Sequence, residues 1–490
     1  MRVLYMSYRS YTRGMREIAR SSETEARNVS TKRMTFRRAC RRFFLNRVAG
    51  VPAHFASHQL CSAVFVAGLD PADYYREAIE PRFGPVGRLI HYELDRKRRE
   101  VSVSLAGVVH SRAVHDGPYG CRVIHSGDSH RFARDQAGVV SSPLAHPSTT
   151  GPDLVAPKYT ALSEALDHVF AEPTSTPHRW TKAAVILHHG EILAERYAPG
   201  VTPATPLQGW SMTKSVTNAL LGILVRDGKL DIHTPAPIVE WSAPDDPRRR
   251  ITIDQMLRMV SGLSCGQSLH FGWWTIFDAD AQMEFDMPDQ AAFAAHAGLR
   301  AEPGREWRYT NCNFVLLSRI IRDAAGGDAE STHQFLEREL FVPLGIEHAT
   351  LEHDSAGTPL GTIHLWASAR DWARFGLLYL RDGVSPSGQR ILPKDWVEYS
   401  ARLTPQSDAY GYGAGFWTQR GNSSAARERI AAGMPSDSFM ALGNKGQYTI
   451  VIPSEDLVIV KMGMAYTPHD DIAAVERFVK EVIAALHANE

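Results

Sequence analysis

The segment WSMTKSVTNALLGILVRDGKLD, residues 210–231, sets Ser211 and Lys214 three positions apart, just ahead of Val216, Leu220, Leu221 and Leu224. On a helix, residues i and i+3 share a face, with Cβ atoms roughly 5–6 Å apart, so the amine can reach the hydroxyl. Burying an ammonium is costly. The same burial lowers a lysine pKa until neutral amine is available to take the serine proton. The helix N-terminus adds partial positive charge where an oxyanion would form. Downstream, PGREWRYTNCNFVLLSRII places Tyr309 and Asn311 at the front of a second helix. A phenol beside a lysine can be held as phenolate or can pass a proton to a leaving group. Asn311 offers a donor and an acceptor for orienting Lys214 or a substrate amide. In GNKGQYTIVIP, Gly446 at a strand entrance would let substrate approach the backbone, and the Gln447 amide could form an oxyanion hole with that of Ser211.

Several elements must position these groups. KAAVILHHGEILAERYAPG reads as a hairpin turning at His189-Gly190, and GQYTIVIPSEDLVIVKMG as another turning at Pro453-Ser454. Between them lie helical patterns: the Ser211 helix ended by Asp227-Gly228, a short ITIDQMLRMVSGL, then NFVLLSRIIRDAAGG and ARDWARFGLLYLRDG. DIAAVERFVKEVIAALHA closes the chain as an amphipathic helix. Strands near both ends with helices between predict an α+β fold, an antiparallel sheet flanked by helices with an all-helical lobe. Upstream, RLIHYELD and EVSVSLAGVV alternate as two strands around RKRR. The expected organisation is a basic, disordered extension at 1–55 (or a stretch ahead of a start at Met34), a small β-rich subdomain at 56–140, a linker at 141–157 and the main domain at 158–490.

Ser-x-x-Lys, a Tyr-x-Asn about a hundred residues later and a glycine-containing strand before a C-terminal helix resemble the serine β-lactamase and penicillin-binding protein superfamily. WSMTKSVTNALLGILVRDGKLD, DDPRRRITIDQMLRMVSGL, PGREWRYTN, ASARDWARFGLLYLRDG and YGYGAGFW are similar, in order and spacing, to its class C-like branch of esterases, D-amino-acid peptidases and 6-aminohexanoate-dimer hydrolases. The resemblance covers roughly 160–490. It implies Ser211 as acylated nucleophile, Lys214 as its base and Tyr309 as catalytic partner, with Asn311 holding the network. Penicillin-recognising members carry Lys-Thr-Gly or His-x-Gly on the last site strand, where this chain has Asn444-Lys445-Gly446. With Asn444 in the first place the cation is missing, which favours amide or ester substrates lacking a fixed carboxylate. The rival readings are a β-lactamase or D,D-peptidase, and a non-catalytic receptor of the same fold. Trp273 and Trp274, in the insertion at 264–302, and Trp210 and Trp417 are candidates for a pocket wall. By the same resemblance Cys61 and Cys121 either form a disulfide, in an oxidising compartment such as the periplasm, or stay reduced in the cytoplasm.

Composition narrows the partners. The 490 residues balance 54 basic against 54 acidic side chains, with 44% apolar and 22% charged residues, so no net basic excess points to nucleic acid. No apolar run reaches the roughly 20 residues a membrane span needs. A small amide or ester substrate is the expected partner, and no cofactor is implied. Five cysteines show no CxxC, and adjacent His188 and His189 face opposite sides of a strand, so no metal is expected there. Cys312 reads as a buried, inert thiol.

Overall fold

The computed structural model describes residues 50–125, 154–175, 178–266, 278–465 and 468–489. The stretch through residue 49, most of the 141–157 linker, and Trp273 and Trp274 lie outside these residues.

The central layer is built from both ends of the main domain. β5 (Thr181–His188) and β6 (Glu191–Tyr197) enter it, and β10 (Trp417–Thr418), β11 (Phe439–Gly443), β12 (Gln447–Ile452) and β13 (Leu457–Gly463) complete it, in the antiparallel order β10-β11-β12-β13-β5-β6. The first hairpin turns at His189-Gly190, both with positive φ (53° and 81°). Central strands are buried continuously rather than alternately, LVIVKMG along its whole length and TKAAVILH at all but Lys182 and His188, because helices cover both faces. Helix α2 (Thr160–Phe170) packs against α7 (Pro468–His487), and Asp471 of α7 pairs with Lys461 on one face of β13. Helix α6 (Ala369–Leu380) lies on the opposite face against Val458 and Thr449.

The lobe beside this sheet holds α3 (Thr213–Arg226), α4 (Ala279–Asp286) and α5 (Asn311–Ala325). Every residue of α3 from Thr213 to Leu224 is buried, so its polar side chains each need a fixed partner. Ser215 donates to the Gly415 carbonyl and Thr217 to that of Gly361. Asn218 donates to Ser400 Oγ and the Ala414 carbonyl, and its Oδ1 accepts from Tyr379 and Trp396. These bonds hold α3 against the YGYGAGFW loop and the 360–365 segment. A third, three-stranded sheet, β7 (Leu207–Gln208), β9 (Leu365–Ala367) and β8 (Ala349–Leu351), leads the chain into α3.

Upstream, residues 50–65 are helical (α1) and largely buried, including part of the stretch expected to be a disordered extension. Next come β1 (Ile90–Asp95), β2 (Glu100–Leu105), β3 (Val109–His115) and β4 (Cys121–Val123), a four-stranded antiparallel meander. Its first turn is the charged RKR-R stretch at 96–99. A Cys61–Cys121 disulfide joins α1 to β4. The described residues from Val51 onward form one compact unit, in which Phe55 of α1 packs edge-on to Phe285 and stacks on Trp210.

Candidate active site

The nucleophile candidate sits on a single 3₁₀ turn, Trp210–Met212, between β7 and α3. Trp210 adopts a left-handed backbone (φ 47°), which turns the chain sharply into the helix. The turn is wedged tightly. A methyl on Gly209 would lie 2.2 Å from Trp372 Cζ2, and one on Gly443 would lie 2.1 Å from the Gly209 carbonyl oxygen, so only glycine fits either place. Strand β11 therefore runs directly against the Ser211 turn.

Lys214 Nζ donates to Ser211 Oγ at 3.1 Å and to the Thr362 carbonyl at 3.1 Å. Its side chain is fully buried, and burial pulls its pKa from 10.5 down to about 8, against the opposing pull of Glu284 and Asp280. About a tenth of the amine is then unprotonated at neutral pH. Tyr309, also buried, lies beside Ser211, and the neighbouring hydroxyl lowers its pKa slightly. Burial outweighs that effect and pushes its phenol well above 10, so it is a neutral phenol rather than a phenolate. Lys214 Nζ stands 5.1 Å from the Tyr309 ring centroid. The structure thus brings an alcohol, an amine and a phenol from Ser211, Lys214 and Tyr309 to one point.

Asn311 opens α5 but has no hydrogen bond to Lys214. Its backbone amide donates to Asp280 Oδ2 at 3.0 Å, and its side-chain Oδ1 is buried without a partner among the described residues. Asp280 Oδ1 also accepts from Thr310 Oγ1 at 2.9 Å. This carboxylate, on α4, clamps the corner that carries Tyr309. Trp417 packs 5.6 Å from Tyr309, beside Trp307 and Tyr412, and forms the aromatic wall here. Trp210 faces away from this wall, buried against Phe55 and beneath Lys445, whose Nζ is 5.0 Å from its ring.

The expected site strand is displaced. Asn444, Lys445 and Gly446 are the turn between β11 and β12, with positive φ at Lys445 (61°) and Gly446 (82°). Asn444 Oδ1 caps the Lys445 amide, and Lys445 Nζ reaches the Ala78 carbonyl. Gln447 pairs with Gly443 and spends its side-chain amide on the carbonyls of Asn444, Lys445 and Gly463. Gly446 abuts the buried Lys461–Asp471 pair. Alternation in GNKGQYTIVIP does not separate a strand entrance from a hairpin turn. The strand facing Ser211 is the preceding one, FMALG, and past Met440 its outer edge has no strand partner among the described residues, because β10 covers only Phe439 and Met440.

Two further features escaped the sequence. Asp280 and Glu284 come from the insertion at 264–302, whose aromatic residues drew notice first. Cys312 is no free thiol. It is bonded to Cys265 and ties the start of α5 to that insertion; the 47-residue separation carries no signature in a chain with an odd cysteine count.

A family profile described as Beta-lactamase matches residues 166–482. The 6-aminohexanoate-dimer hydrolase of Paenarthrobacter ureafaciens is 27% identical over 299 residues, 58% of this chain and 72% of that protein. The D-aminopeptidase of Gluconobacter oxydans is 28% identical over 194 residues, 37% of this chain and 34% of that one. Among solved structures, a penicillin-binding protein homolog from Caulobacter crescentus shares the fold with a TM-score of 0.52 at 16% identity, over 68% of this chain and all of that one. The chain belongs to the β-lactamase family, and it is a serine hydrolase. Among the described residues no helix is long and apolar enough to cross a membrane.

Proposed function

We propose that this hydrolase cleaves a small amide or ester through a covalent acyl-enzyme on Ser211. The observation that carries the reading is the Ser211 hydroxyl hydrogen-bonded by the Lys214 amine, its pKa drawn to about 8, with the neutral Tyr309 phenol beside them. Lys214 takes the hydroxyl proton as Ser211 Oγ attacks the carbonyl carbon. The Ser211 amide and an amide on the uncovered edge of β11 hold the oxyanion. Tyr309 gives its proton to the departing nitrogen or oxygen and is reprotonated from the Lys214 ammonium. Water then attacks the ester with the same groups in reverse, releasing the acid.

The 6-aminohexanoate-dimer hydrolase relative and the lack of a Lys-Thr-Gly cation favour a linear amide or ester over a β-lactam or D,D-peptide. The Cys61–Cys121 bridge fits an oxidising compartment. The test is Ser211→Ala, expected to abolish both p-nitrophenyl butyrate turnover and fluorophosphonate labelling; an active variant defeats the proposal. Comparing p-nitrophenyl butyrate, 6-aminohexanoate dimer and nitrocefin on the wild type assigns the class, with preference for nitrocefin overturning the linear-substrate reading.

A further inference from the structure

Close to Thr362, three side chains from distant parts of the chain meet in a buried cluster. His58 lies on α1, Glu352 follows β8 and His364 precedes β9. His58 Nε2 and His364 Nδ1 are each 3.2 Å from Glu352 Oε2, with side chains 4%, 0% and 0% exposed for His58, His364 and Glu352. One donor atom from each residue lies within 4.8 Å of the other two. Donors held 2.0–2.1 Å from a tetrahedral ion stand about 3.3 Å apart, close to the spacing of each imidazole nitrogen from Glu352 Oε2.

The surroundings fix the donors for that use. Glu352 Oε1 is filled by Ser62 Oγ at 2.6 Å and the Cys121 amide at 2.9 Å, which turns Oε2 toward both imidazoles. Trp366 Nε1 donates to Oε2 at 3.3 Å. The Cys121 carbonyl oxygen lies 2.8 Å from His58 Nε2. His364 Nε2, the nitrogen facing away, stands 3.6 Å from Glu284 Oε2. That nitrogen and both Glu284 oxygens are buried and, among the described residues, have no other hydrogen-bond partner. A histidine that ligates a metal orients itself by giving its other N–H to a carboxylate, the place Glu284 occupies. Two buried carboxylates also need balancing charge, which one divalent ion supplies in place of a protonated His364.

We propose that His58, Glu352 and His364 bind a first-row divalent ion, zinc, with Glu284 orienting His364. The ion fastens α1 to the segment whose Thr362 carbonyl receives Lys214. Its role is structural and independent of the acyl-enzyme chemistry. Without an ion, the same atoms form an imidazole–carboxylate hydrogen-bond chain in which His58 Nε2 donates to the Cys121 carbonyl.

The two arrangements separate by metal content. The full chain, without a polyhistidine tag, is stripped with a chelator, titrated with Zn²⁺ or Co²⁺, dialysed and analysed by mass spectrometry of the elements. One ion per chain is expected, with visible cobalt bands of tetrahedral type that zinc abolishes. His364→Ala and His58→Ala are expected to lose the ion, while Glu284→Gln keeps it with affinity weakened about 10–100-fold. Zinc should also raise the unfolding midpoint of the wild type. Less than about a tenth of an equivalent on the wild-type chain, or cobalt bands unchanged in a folded His364→Ala variant, overturns the proposal whatever the variants do to activity.

Discussion

Replacing Lys214 by methionine separates what the buried amine does for catalysis from what it does to stability. In the folded chain its pKa falls from 10.5 to about 8, with burial outweighing the favourable pull of Glu284 and Asp280. At about 1.4 kcal/mol per tenfold change, the protonated lysine costs the fold about 3 kcal/mol. The unfolded amine keeps its proton up to its ordinary pKa, whereas the folded amine releases it near 8. Between those values the unfolded state binds more protons, so this contribution to stability rises with pH. Methionine fills a similar volume without charge but leaves the Thr362 carbonyl and Ser211 Oγ without their donor, a loss of about 1 kcal/mol each. Near neutral pH the variant should therefore be more stable than the wild type by about 1 kcal/mol, and above about pH 10 less stable by about 2 kcal/mol. Urea unfolding of both proteins across this range measures the gap. The variant should lose about 10²–10⁴ in kcat/KM, while the wild-type profile should show an acid limb near pH 8. A stability gap that does not change with pH would refute the reasoning.

Three other outcomes follow from the same contacts. Tyr309→Phe should keep the fold and lower the acylation rate about 10²–10⁴-fold, with stopped-flow release of p-nitrophenol as the readout. Asn218→Leu strands Tyr379, Trp396, Ser400 and the Ala414 carbonyl, and should destabilise the chain by about 3 kcal/mol in urea unfolding. Alkylation of the unfolded, unreduced protein should label one of the five cysteines, and all five after reduction, because two disulfides hold the other four.

What was legible in the sequence is what local spacing encodes. Ser211 and Lys214 are one helical turn apart, and Tyr309 stands just before a strongly amphipathic helix, so both groups announce their own placement. The two hairpins of the main sheet were readable for the same reason, since His189-Gly190 and Pro453-Ser454 mark turns between apolar runs. The site strand was not: FMALG and QYTIVI are equally apolar, and only the close approach of Gly443 to Gly209 shows which one meets Ser211. Asp280 was hidden because its partners, Thr310 and the Asn311 amide, lie about thirty positions away. The Cys265–Cys312 bridge and the His58–Glu352–His364 cluster are likewise tertiary events, made by segments that approach only once the lobe and α1 have packed.

The most direct test of the account is to find where the acyl group rests. Acid quenching during turnover of p-nitrophenyl butyrate, followed by digestion and peptide mass spectrometry, should locate one butyryl group on Ser211, and none in the Ser211→Ala protein. A butyryl group on another residue, or steady turnover with the Ser211 peptide never modified, would contradict it.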